Sequence, residues 1–111
     1  SYKSVVQLNK AAMAAEARYE IASCWLSLSK LSDAEKAAFE TINKSGSYDF
    51  WVTKAYIMLG DIYFRQKDYF NAKATFQSIV DNTTDAELKA EAQSKLDQVT
   101  VEEGKSSKVN N

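Results

Sequence analysis

The chain has 111 residues, 14 Lys and Arg against 15 Asp and Glu, no His, no Pro, one Cys and three Gly. That length supports one compact domain or a short array of repeated units, and a formal net charge of −1 excludes the basic excess of a dedicated nucleic-acid or membrane-surface binder. The absence of His excludes the Ser-His-Asp, Cys-His and His-based zinc chemistries, and a lone Cys24 excludes an internal disulfide while leaving the redox compartment open.

Absent Pro and scarce Gly favour helix, and Ala, Lys, Glu, Leu and Gln fill most of the chain. The pattern predicts a helical end over residues 1–8, then helices over 11–29, 32–44, 49–66, 68–81 and 84–101, with a flexible tail over 102–111. The breakers are Ser29-Lys30-Leu31-Ser32, Lys44-Ser45-Gly46-Ser47 and Asn82-Thr83-Thr84-Asp85. The longest unbroken apolar runs, Ala11 to Ala15 and Ala55 to Leu59, are five residues each, so no segment is predicted to insert in a membrane. The N-terminal residues carry no secretory signal pattern.

Apolar residues recur at helical spacing. Ile21, Trp25 and Leu28 form one stripe, Tyr56, Leu59 and Tyr63 a second, and Tyr69, Ala72, Phe76, Ile79 and Val80 a third. Each stripe is expected to be buried, and the short connections imply antiparallel neighbours.

The order of residues repeats. Ile21-Ala22, Trp25, Leu31 and Ala34 return as Leu59-Gly60, Tyr63, Tyr69 and Ala72, each pair 38 positions apart. Phe39 and Phe76 are 37 apart, which sets the second helix of the first copy out of phase by one residue. Residues 2–6 echo residues 76–80 more weakly. Small residues at Gly60 and Ala72, and at Ala22 and Ala34, let helix axes approach closely, with Tyr63, Tyr69 and Phe76 filling the volume beside the contact. The pattern predicts Gly60 against the helix that carries Ala72. In the last helix, Ala86, Leu88, Ala92, Leu96 and Val99 are expected to dock, leaving Lys89, Glu91, Lys95 and Asp97 in solvent.

This order resembles the tetratricopeptide repeat, a helix–turn–helix unit of 34 residues. Tyr56, Leu59, Gly60, Tyr63, Tyr69, Ala72 and Phe76 stand where that pattern places its large, small and aromatic residues. The first copy departs from it, with Arg18 at the first aromatic position and Ala38 where Phe is usual, and neither copy has the terminal Pro. The resemblance implies an all-α fold of antiparallel helix pairs stacked as a right-handed superhelix, an α-solenoid. Within one domain over residues 1–101 it divides the chain into a partial repeat 1–10, repeats 15–48 and 53–86, and a capping helix 84–101. Tyr2, Val5 and Val6 then read as the end of a second helix, leaning on the helix of Ile21 and Trp25, in a piece of a longer array; the alternative is a short capping helix. Phrases such as Ala55 to Phe64 followed by Asp68 to Lys73 resemble helical-repeat proteins of bacterial cell envelopes; the residues themselves fix no compartment, and that resemblance implies the periplasm or envelope, with the cytoplasm as the alternative.

Little in the sequence carries chemistry. Cys24 has no His to activate it, and a buried, inert role is expected. Glu16 and Glu20 have the i,i+4 spacing of solvated helix faces, and Asp61 with Arg65, at the same spacing, are expected to form a surface ion pair. The sequence suggests no catalytic residue, cofactor or metal site, and the chain is read as a non-enzyme. The resemblance implies instead a concave surface, made by the first helix of each pair, that binds a protein or peptide. It would present Glu16, Tyr19, Ser23, Leu26 and Ser27 from the first copy, Lys54, Ile57, Asp61, Phe64 and Arg65 from the second, and Glu91, Ser94 and Gln98 from the last helix. Leu26 and Phe64 have a second reading, as cover for neighbouring repeats. Phe50 and Trp51 are either core or interface. The alternative function is a structural domain that self-associates through its open N-terminal face.

Overall fold

The computed structural model describes residues 2–46 and 49–110, with side chains for residues 10–46 and 49–106. The described residues form an all-helical chain: α1 (Tyr2–Ser27), α2 (Leu31–Lys44), α3 (Asp49–Arg65), α4 (Tyr69–Asn82) and α5 (Ala86–Asn110), with no strand. They divide into two compact units, residues 1–55 and 56–111, the division falling inside α3.

Two boundaries differ from those the sequence predicts. α1 is unbroken through Asn9 and Lys10, so residues 2–8 continue the helix of Ile21 and Trp25 and do not pack on it as a separate stub. No Gly or Pro stands there to stop the helix, and the Ala-rich stretch that follows propagates it. α5 runs to Asn110, through Gly104, past the expected end at 101. The side chains of Tyr2, Val5 and Val6, and residue 48 at the end of the first copy, lie outside the described residues.

In the first unit α1 packs against α2. The pair is antiparallel: α1 ends beside the start of α2, while Arg18 Nη1 reaches the far end of α2, donating to Lys44 O at 3.3 Å and Ser45 Oγ at 3.1 Å. Arg18, which breaks the aromatic pattern, thus binds the open carbonyl end of α2, where a cation also meets the negative pole of the helix dipole. Ala15, Ala22, Ala34, Ala38 and Thr41 are fully buried. These small residues bring two backbones together, and Thr41 satisfies its hydroxyl by donating to Ala37 O at 2.9 Å.

In the second unit Gly60, on α3, faces the ring of Phe76 on α4 so closely that a β-carbon there would collide with it. The expected contact between Gly60 and the Ala72 helix is present. Ile57 of α3, Ala72, Phe76 and Ile79 of α4, and Leu88, Ala92, Leu96 and Val99 of α5 share one core. α4 and α5 are antiparallel, since Lys73 near the start of α4 pairs with Glu103 near the end of α5 at 2.8 Å. Both helices are capped as their sequences direct. Asp68 accepts from Asn71 N at 3.2 Å, and Asp85 accepts from Leu88 N at 3.0 Å. Of the expected docking residues on α5 only Ala86 is exposed.

The repeat is written in the backbone. At the end of α1, Ser29 N donates to Leu26 O at 2.9 Å and Lys30 N to Trp25 O at 3.0 Å. At the end of α3, Lys67 N donates to Phe64 O at 3.0 Å and Asp68 N to Tyr63 O at 2.9 Å, every atom displaced by 38 residues. Both turns are Schellman closures with a left-handed residue, Ser29 at φ 58° and Lys67 at φ 63°. The next residues, Lys30 and Asp68, share φ and ψ within one degree. A side chain in that conformation costs about 1–2 kcal/mol, so Lys67→Gly is expected to stabilise the chain by about 0.5–1 kcal/mol in urea melts, after the unfolded-state entropy of Gly is deducted.

The spacing of 38 also holds in the second helices, which corrects the one-residue phase shift expected from Phe39. Ala38 is buried at the position matching Phe76, and Thr41 at that matching Ile79, while Phe39 is exposed. Three further expectations are corrected. Tyr56, expected in the buried second stripe, is 41% exposed. Ile21, Trp25 and Leu28 lie on an exposed side of α1, because the small residues Ala15 and Ala22 face α2 instead. Cys24 sits on the same exposed side, not in a core.

Candidate interaction surface

The candidate site residues fall into the two units, and each unit is considered alone. In the first, Glu16 and Ser27 are exposed and Tyr19, Ser23 and Leu26 are half-buried. Tyr19 meets the first turns of α3. Its ring lies 5.6 Å from that of Trp51 with the planes tilted by 41°, and Phe50 stands edge-on to Trp51 at 4.9 Å. The Lys54 ammonium is held over two ring faces, 5.1 Å from the centre of Tyr19 and 5.7 Å from that of Phe50.

This arrangement follows from helical spacing. Phe50 and Lys54 are four apart on α3 and share a side, and Trp51 carries the aromatic surface round to Tyr19 of α1. The negative ring faces attract the ammonium, a pull of about 0.5–2 kcal/mol depending on its desolvation. They do not satisfy its N–H donors. Among the described residues Lys54 has no hydrogen-bond acceptor and no carboxylate within 4 Å. A half-buried cation is thereby held in place with its donors open, next to Phe50, which is 46% exposed. Phe50 and Trp51 are neither plain core nor isolated surface residues: they are the walls of a cationic patch.

In the second unit the expected surface is only partly present. Ile57 departs from it, because the residue is 4% exposed and belongs to the core with Phe76 and Leu96. Phe64 is half-buried against that same core, its ring 5.8 Å from that of Tyr69 within the same helix pair. Arg65, Glu91, Ser94 and Gln98 are exposed. Asp61 is bound across helices: both its oxygens accept from Lys95 Nζ, at 2.8 and 3.0 Å. Lys95 is therefore half-buried and paired, not left in solvent as its place in the sequence suggests. The partners are 34 residues apart, beyond any local pattern. An open groove of about 290 Å³ lies between α4 and α5, lined by Phe70, Lys73, Ala74, Gln77, Leu96 and Glu103, none of which the sequence pattern marks as a site.

Among the described residues no three His, Cys, Asp or Glu side chains converge to hold a metal ion, and no helix is long and apolar enough to cross a membrane. The geometry joins Tyr19 to Lys54 across α1 and α3, and Asp61 to Lys95 across α3 and α5. The patch around Lys54 can hold an anionic group beside an apolar one, as neither a lysine in bulk water nor a bare aromatic surface does. The chain matches no protein-family model, no curated protein and no solved structure.

Proposed function

We propose that the chain is a protein-interaction module that binds a peptide or partner protein through the first-unit surface of α1 and α3, anchored by Tyr19, Phe50, Trp51 and Lys54. The observation that carries this reading is the Lys54 ammonium, fixed by two rings and without an acceptor among the described residues. A partner carboxylate would complete its hydrogen bonding, and an adjacent apolar side chain would cover Phe50. Tyr and Trp in such a cluster are common anchors of protein interfaces. The recurrence of one turn and of buried small residues at a spacing of 38 supports tetratricopeptide-like helix pairs, stacked as a superhelix, as the scaffold.

The test is selection of binding peptides from a random library on the folded chain, followed by titration of the selected peptides against the Trp51 indole resonance. Selected sequences are expected to place Asp, Glu or a free C-terminus beside an apolar residue. Lys54→Ala is expected to weaken them about tenfold or more, equivalent to about 1.4 kcal/mol, with helicity unchanged. Peptides that bind Lys54→Ala and Tyr19→Ala as tightly as the parent chain would refute this site.

A further inference from the structure

α1, with Leu28 that follows it and still donates to Cys24 O at 3.1 Å, carries a second surface on the side away from Tyr19. Met13, Ala17, Ile21, Cys24 and Leu28 follow one another at spacings of four, four, three and four, and all five are exposed, Met13 at 68% and Leu28 at 65%. They form one apolar stripe about 22 Å long at the rise of an α-helix. The chain itself shows what such a stripe accepts. Met13, Ala17, Ile21 and Cys24 recur in size order and spacing as Trp51, Ala55, Leu59 and Ile62 on α3 and as Leu88, Ala92, Leu96 and Val99 on α5. The α5 set is buried, and its cover is α4, through Ala72, Phe76 and Ile79.

We infer that the α1 stripe is a docking site for an amphipathic helix of the α4 kind, small, large and branched at i, i+4 and i+7, supplied from outside residues 1–111. A second copy of this chain does not supply it in the folded state, because Ala72, Phe76 and Ile79 of α4 and the matching Ala34, Ala38 and Thr41 of α2 are already buried. Charge defines the helix further. Glu16 and Glu20 run along one edge of the stripe, exposed and without an ion-pair partner among the described residues. The docking helix therefore carries Lys or Arg along its facing edge. Tyr19 precedes Ile21 by two residues and so points from the opposite side of α1, which separates this surface from the Lys54 patch.

Cys24, inside the stripe, supplies the readout. The probe is a stapled peptide of residues 69–82 carrying Gln77→Lys, which adds a second cation four residues after Lys73. At saturation it is expected to slow alkylation of the Cys24 thiol by at least fivefold, while a scrambled peptide does not. Ile21→Asp, or Leu28→Asp if the first variant loses helicity, is expected to abolish the protection, and Lys54→Ala to leave it intact. No protection by the peptide, or protection that survives both Asp variants, would overturn the inference. Protection that grows with protein concentration in the absence of peptide would also overturn it, by assigning the stripe to a second copy.

Discussion

Gly60→Leu is expected to destabilise the chain by about 1–3 kcal/mol, the range for overpacking a filled core. The Phe76 ring occupies the space that any side chain at position 60 would enter, and that ring is itself almost fully buried. Gly60→Ala tests the mechanism more finely. Ala gains up to about 1 kcal/mol of helix propensity over Gly, yet its β-carbon still forces the ring to move. The account therefore predicts no stabilisation from Gly60→Ala in the parent chain and a clear one in a Phe76→Leu background. Urea melts with an unchanged slope decide it. An increase in stability from Gly60→Ala alone would show that the contact between α3 and α4 has room for a β-carbon.

Removing α5 is expected to have a larger effect. Truncation after Asn82 deletes Leu88, Leu96 and Val99 and exposes Phe76 and Ile79. Burial of the three deleted side chains contributes about 5–9 kcal/mol as an upper bound, as much as the whole stability of many small domains. It also breaks the Asp61–Lys95 and Lys73–Glu103 pairs, which are partly solvated and add little by comparison. The expected outcome is loss of cooperative unfolding in residues 56–82, seen as vanished amide protection on α3 and α4. A melting curve like that of the intact chain would show that α5 is dispensable.

The parts of this structure that are legible in the sequence are those set by local spacing. The breakers locate the turns, and the duplicated small residues locate the close contacts at Ala22, Ala34, Gly60 and Ala72. Size misled where it stood in for position. Aromatic character pairs Phe39 with Phe76, whereas the backbone puts the much smaller, fully buried Ala38 at that place. Periodicity likewise says that a stripe exists but not which of two stripes is covered. On α1 the small-residue side with Ala15 and Ala22 packs, and the bulkier side with Ile21 and Leu28 stays open. Ile57, on the partner-facing side by its place in the repeat, is core, because residues of both α4 and α5 close over it. The contact that builds the candidate site, Tyr19 to Lys54, and the separate Asp61–Lys95 pair of the second unit each join residues more than thirty positions apart, and no sequence window contains both partners.

The central claim, that the Lys54 patch is where a partner binds, is tested most directly by site-specific photo-crosslinking with the library-selected peptides. Benzoylphenylalanine replaces Phe50, at the patch, in one protein and Phe70, the most exposed large apolar residue of the second unit, in another. The account predicts peptide adducts from position 50, suppressed by Lys54→Ala, and none above background from position 70. Adducts from position 70 alone, or adducts at 50 that persist without Lys54, would contradict it.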